Sequence, residues 1–223
     1  MLKKLITIFI LLAGFAVFAN SQQQPRVPVK INSRPTPKPE ALKGEPFDKA
    51  DVKTMAAQCV TLDTEAGVIE LEMYPESAPE SVRNFLNLAA MGFYDTTVFS
   101  RVVPGFVIQG GNLFTREKIT AQIDQRSRRT IRDEPNKILH ERGILSMARP
   151  TEPNSATTNF FILVDSAPSL DGSFAAFGRV MKGMEVVDAI NKGKVNGDKP
   201  EKPVKVRKAS VAACAGAFRS SAP

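Results

Sequence analysis

Arg101, Phe106 and Gln109 are the residues whose types and spacing best suit chemistry. They fall within Phe99-Ser-Arg-Val-Val-Pro-Gly-Phe-Val-Ile-Gln-Gly-Gly-Asn112. Val102, Val103, Val107 and Ile108 are β-branched and read as two short strand pieces. Pro104-Gly105 is a turn signal between them, and Gly110-Gly111 ends the second piece. A bend there aims a cation, an aromatic face and an amide toward one concave spot, which a straight strand does not do. The plainer alternative is a strand-turn-strand core piece with a surface arginine. Other chemistries lack residues. One histidine is too few for a His-rich metal site, and two cysteines do not complete a four-cysteine zinc site, so no metal or cofactor is expected. His140, the sole imidazole, has no nucleophile motif near it and is expected in a loop.

The elements around this stretch follow from periodicity. Val60 to Thr64 alternates, Glu65-Ala66-Gly67 is a hairpin turn, and Val68 to Tyr74 alternates again as the returning strand. Pro79 to Met91 is helical, because Val82, Phe85, Leu86 and Ala89 recur at helical spacing behind a proline suited to a first turn. Gly143 to Ala148 is a short apolar strand, and Thr158 to Val164 is the next. In a strand, adjacent Phe160 and Phe161 point to opposite faces, so one ring can fill a core and the other line a pocket. Residues 115–140 form a polar insertion made basic by Arg116, Arg126, Arg128, Arg129 and Arg132. It is long for a connection, hence either functional or tolerated on the surface. Val204 to Ala213 is a closing strand. Many strands, two helices and no βαβ alternation predict a mainly β fold, a closed antiparallel barrel.

Residues 99–112 read F-S-R-V-V-P-G-F-V-I-Q-G-G-N and resemble the F-H-R-V-I-P-G-F-M-x-Q-G-G-D signature of the cyclophilins, the peptidyl-prolyl isomerases. Further likenesses are A-P-x-x-V-x-N-F at 78–85, G-x-x-S-M-A at 143–148, F-F-I at 160–162 and L-D-G-x-x-x-x-F-G-x at 170–179. Gly183 to Ile190 fits the family's last short helix, and the resemblance covers about residues 59–213. It implies an eight-stranded antiparallel barrel capped by two α-helices. It gives Arg101 the role of donating to the prolyl nitrogen, and Gln109 that of holding the guanidinium or a substrate carbonyl. Phe106, Phe161 and Leu170 form the proline pocket, with Met147 near its edge. Ala148 meets the peptide backbone. Phe174 falls where many members carry His. Asn159 replaces a substrate-binding Gln one methylene longer. Ser100 stands for a common His, and Ser169 for the Trp of the best-known relatives. Cys59 opens the first strand and Cys214 follows the last, which the family's barrel makes neighbours. A disulfide suits an oxidising compartment; the alternative is two separate thiols.

Outside this region the chain reads differently. Residues 1–19 read as a secretory signal: Lys3-Lys4 is the positive start, Leu5 to Phe18 the apolar run, and Val17-Phe18-Ala19 the cleavage site. The alternative is an uncleaved anchor that tethers the protein. Residues 20–58 read as a linker, with Pro25, Pro28, Pro35, Pro37, Pro39 and Pro46 among polar residues, although Lys49 to Gln58 suits a turn or two of helix. The isomerase domain is then 59–214 and the tail 215–223.

The 43% hydrophobic content of 223 residues is enough for one sizeable core. The net charge of +7 comes without an aromatic-interleaved basic stripe, so no nucleic-acid partner is expected. No apolar run of about 18 residues follows the leader, so no membrane span is expected after its removal. The expectation is a monomeric, exported prolyl isomerase, periplasmic or secreted, whose partners are proline-containing unfolded or partly folded polypeptides. The competing expectation is a proline-peptide-binding chaperone module with little turnover.

Overall fold

The computed structural model describes residues 44–214; the expected signal, residues 20–43 of the expected linker and the tail lie outside the described residues. β1 (Gln58–Thr64) and β2 (Gly67–Met73) form the expected hairpin. Their alternation buries Val60, Leu62, Ile69 and Leu71, and Val60 faces Leu71 while Leu62 faces Ile69. Such cross-strand apolar pairs fix the register, because a slip of either strand by one residue would turn its buried pair to solvent. The other strands are β3 (Arg101–Val103), β4 (Val107–Gly110), β5 (Ile144–Met147), β6 (Phe160–Leu163), β7 (Ala176–Lys182), a small hairpin of β8 (Val195–Asn196) with β9 (Lys199–Pro200), and β10 (Val206–Ala213). Eight of them form one antiparallel sheet in the order β10-β1-β2-β7-β5-β6-β4-β3.

The expected closed barrel needs correction: the sheet curls into an open half-barrel, and its end strands β3 and β10 share no ladder. The reason is local. β3 is three residues long, and the Val102 N–H on its outer edge donates to the Asp198 carbonyl between β8 and β9, at 2.8 Å. The edge that would pair with β10 is therefore occupied. An isolated bridge, Val98 with Lys205, joins the segments leading into the two strands.

Two helices cover the sheet, as expected. α2 (Pro79–Ala90) buries Val82, Phe85, Leu86 and Ala89. The Phe85 ring lies 5.2 Å from each of Tyr94, Phe160 and Phe177, so α2 is held by an aromatic cluster. α4 (Met184–Asn191) buries Val187 and Ile190. Two short helices add to these: α1 (Val52–Ala56), capped by Asp51, and α3 (Ala121–Ser127), capped by Thr120.

The packed region also starts before Cys59. Residues 44–57, read as linker from their composition, lie against the domain, with Met55 fully buried and Glu45 nearly so. Glu45 meets Arg126 of α3 at 2.6 Å, and Arg126 also donates to Asn84 Oδ1 of α2 at 2.7 Å. One buried ion pair thus fastens the N-terminal segment and the insertion to the same helix. The insertion spends much of its positive charge internally. Arg129 pairs with Glu45, Arg128 with Asp124, and Arg116 donates to the Gly92 and Phe93 carbonyls.

Cys59 and Cys214 are bridged, their Cα atoms 4.9 Å apart and 155 positions apart in sequence. The choice between a disulfide and separate thiols falls to the disulfide, because the β1–β10 register brings the ends of the two strands together.

Thiol titration of the denatured chain should find reactive thiols only after reduction. The double variant Cys59→Ser/Cys214→Ser should lose on the order of 2–5 kcal/mol of unfolding free energy in a denaturant titration. Glu45→Ala should cost about 3–5 kcal/mol in the same assay, because it strands a buried guanidinium; a loss below 1 kcal/mol, the ~0–1 kcal/mol of an exposed pair, would contradict the burial.

Candidate active site

β3 and β4 carry the three residues singled out above. Arg101 lies directly opposite Gln109 in their ladder, and the connecting turn carries Phe106. Gly105 in that turn has φ 74°, a conformation that costs glycine little. Asn191, the last residue of α4, holds the bend. Its Nδ2 donates to the Val103 and Val107 carbonyls at 2.9 and 3.0 Å, and its Oδ1 accepts from the Gly105 N–H at 2.8 Å. Asn191 is only 5% exposed, so these bonds are sheltered from water and would be costly to leave unmade. After Gln109 the chain turns away at Gly111, which has φ 83°; a Cβ there would sit 2.3 Å from the Thr158 carbonyl oxygen.

The ribbon forms one wall of a groove of about 160 Å³. Arg101, Phe106, Gln109, Ala148, Phe161, Leu170 and Phe174 line it, together with Val107 and Arg149. β6 separates the two adjacent phenylalanines as strand geometry requires. Phe160 joins the main core against Phe85, Tyr94 and Phe99, while Phe161 faces the groove. Phe161 meets Phe174 edge to face, with centroids 6.1 Å apart. The Arg149 guanidinium sits 5.1 Å from the centre of the Phe174 ring, and Arg149 also pairs with Asp133 at 3.3 Å.

Arg101 is the cation on the ribbon side of this largely apolar groove. Its Nη1 is 3.5 Å from Gln109 Oε1, and its Nε donates to Asp198 Oδ2 at 2.8 Å. Asp198 and Asn191 had no place in the sequence reading. Asn196-Gly197 is a hairpin signal that would have marked the turn holding Asp198. Nothing in the sequence marks Asn191, whose partners are more than eighty residues away.

Behind Phe161 lies His140, in a loop as expected but without side-chain exposure. Its ring is roughly parallel to that of Phe161, at 6.5 Å between centroids. Nδ1 is 3.1 Å from Asp171 Oδ1, and Nε2 is 3.2 Å from Ser146 Oγ. The adjacent carboxylate favours the tautomer protonated at Nδ1, leaving Nε2 to face the Ser146 hydroxyl. Burial holds the imidazole below its ordinary pKa, against the opposing pull of Asp171. Ser146 is fully buried, and its one hydroxyl proton is shared between two acceptors, His140 Nε2 and the Ala175 carbonyl at 2.9 Å, so it is not presented to a substrate. This trio braces the groove floor.

The structure does not bring two of the expected substrate residues to the groove. Met147 lines a second hollow of about 10 Å³ with Ala156 and Ala175, separated from the groove by Arg149, which borders both. Asn159 also stays off the groove wall, and its Oδ1 is buried without a hydrogen-bond partner. Its side chain is one methylene short of the glutamine expected there. The Asn159 carbonyl instead accepts from the Ala148 N–H at 3.0 Å.

Comparison with known proteins places this geometry in a family. Residues 59–211 match the family model described as cyclophilin type peptidyl-prolyl cis-trans isomerase/CLD. A peptidyl-prolyl cis-trans isomerase of Acinetobacter baylyi is 42% identical over 144 residues, covering 61% of this chain and 73% of its own. Peptidyl-prolyl cis-trans isomerase A of Dickeya dadantii is 38% identical over 163 residues, covering 68% of this chain and 83% of its own. Among solved structures, a cyclophilin type isomerase of Cryptosporidium parvum, crystallised in the presence of the dipeptide Ala-Pro, superposes with a TM-score of 0.62 at 29% identity. It covers 70% of this chain and 99% of its own. The bent ribbon, the apolar groove it faces and the match across the folded region agree: this chain belongs to the cyclophilin family of peptidyl-prolyl cis-trans isomerases.

Proposed function

We propose that this isomerase accelerates X-Pro bond rotation during the folding of exported proteins, with Arg101 stabilising the twisted amide. The observation that carries the reading is a single guanidinium on the ribbon side of an apolar, aromatic-walled groove. Rotation about a peptide bond meets a barrier of about 18–20 kcal/mol, because the C–N bond has partial double-bond character. At X-Pro the two planar isomers are close in energy yet exchange slowly. A catalyst here needs no nucleophile. It must bind the twisted state, in which the nitrogen lone pair is localised, better than either planar state.

Phe106, Phe161, Leu170 and Phe174 take the proline ring. Arg101 donates to the prolyl nitrogen as its lone pair localises, and Gln109 steadies the guanidinium. The N–H of Ala148 is already bonded to Asn159, so its carbonyl is the main-chain group left for the peptide. Partners are proline-containing, incompletely folded chains. The export setting rests on Lys3-Lys4 and the apolar run from Leu5 to Phe18.

In a protease-coupled assay on an Ala-Pro-Phe peptide, Arg101→Ala should lower kcat/KM on the order of 10²–10³-fold, the effect of removing one donor aimed at developing charge. Peptide affinity should change only a few-fold. Undiminished turnover would sink the role given to Arg101, whereas a wild type with no acceleration over the uncatalysed rate would favour the chaperone module.

No proton transfer enters the mechanism, so acid sensitivity should come from the groove floor. The folded state holds His140 neutral, whereas the unfolded chain takes up a proton near pH ~6.5. The stability contributed by His140 is therefore complete above about pH 6.5 and lost as pH falls through its lower folded value. Thermal melts and turnover should decline together on that limb, and His140→Gln should flatten it. An unchanged acid limb in that variant would rule His140 out as its source.

A further inference from the structure

We propose that Asp198 is a positioning residue for the isomerisation, holding the Nε edge of Arg101 so that its Nη edge faces the prolyl nitrogen. The inference rests on the role given to Arg101 above. A guanidinium is a planar fork, and its orientation about the last side-chain torsions decides which N–H bonds point where. Arg101 is held on two edges. Asp198 Oδ2 accepts from Nε at 2.8 Å, and Gln109 Oε1 lies 3.5 Å from Nη1. The shorter bond is to the carboxylate, so Asp198 sets the plane and Gln109 adjusts it.

The carboxylate is itself well placed for this. Asp198 sits in the turn between β8 and β9, beside Gly197 with φ 66°. Its main-chain carbonyl accepts the Val102 N–H at 2.8 Å, from the residue next to Arg101. The side chain and the main chain of Asp198 thus grip the same strand at adjacent residues. Any movement of β3 carries Asp198 with it and preserves the plane of the guanidinium. Asp198 does not line the groove, so it acts through Arg101 and does not touch the peptide.

Exposure decides what the pair can do. The Arg101 and Asp198 side chains are 41% and 59% exposed. An ion pair this open adds little to stability and weakly offsets the arginine's charge, since solvent screens both effects. What survives screening is geometry. Removing the carboxylate should therefore lower turnover, not the melting temperature.

The test is a set of four proteins in the protease-coupled assay: wild type, Asp198→Ala, Arg101→Ala and the double variant. Asp198→Ala should lower kcat on the order of 5–20-fold, with KM within about twofold and an unchanged thermal midpoint, as expected when an orienting contact is lost without a change in binding. Asp198→Asn, which keeps an acceptor at the same place, should recover part of the loss. Added to Arg101→Ala, the Asp198 change should have no further effect, since its role runs through the missing group. An Asp198→Ala variant as active as an active wild type overturns the proposal alone. So does an equal loss in the Arg101→Ala background, which would place the effect in the hairpin. A wild type with no acceleration overturns this proposal together with the isomerase reading.

Discussion

The site depends on one buried amide. β3 and β4 are short strands at the end of an open sheet, joined by a sharp turn whose main-chain groups need partners. Asn191 supplies both kinds, two donated hydrogen bonds and one accepted. A hydroxyl or an aliphatic side chain at that position could not satisfy all three groups. Because Asn191 ends α4, the packing of Val187 and Ile190 against the sheet is transmitted to the bend. The angle between Arg101 and the groove is therefore set by a helix on the far side of the ribbon.

The same economy appears in β6. Its two faces serve two hydrophobic clusters, Phe160 in the main core and Phe161 in the smaller one beneath the groove. The larger cluster anchors one face of the strand, and the smaller one is built on the other. His140, Ser146 and Asp171 then fix the back of Phe161 with hydrogen bonds. A mechanism based on differential binding needs this, since a soft wall would fit planar and twisted amides alike.

Much of this was legible along the chain. The hairpin of β1 and β2, the helix α2 and the opposite facing of Phe160 and Phe161 all follow from periods of two and 3.6 residues, which are local properties. Arg101, Phe106 and Gln109 were marked by the turn signal between two β-branched pieces, whereas the groove roles of Ala148, Phe161, Leu170 and Phe174 came from the resemblance to the cyclophilins. What was hidden depends on distant partners. Glu45 sits in a proline-rich polar stretch, and Arg126 and Arg129, 81 and 84 positions away, make it part of the fold. Closure of the sheet failed because Asp198 claims the edge of β3, a competition that no window of sequence displays. Asn159 was expected at the groove from its place in a motif, but its Oδ1 is buried away from the wall without a hydrogen-bond partner.

The disulfide has a mechanical consequence as well as a thermodynamic one. Cys59 and Cys214 close a covalent ring around almost every strand and both capping helices. A pull applied to the two ends of the chain passes from Cys59 to Cys214 through sulfur and leaves the groove outside the load path. Residues 44–57 lie before the ring, so the Glu45–Arg126 pair and α1 are the contacts that such a force would strip first. Under tension the chain would shed its N-terminal strap while the residues that line the groove stay folded.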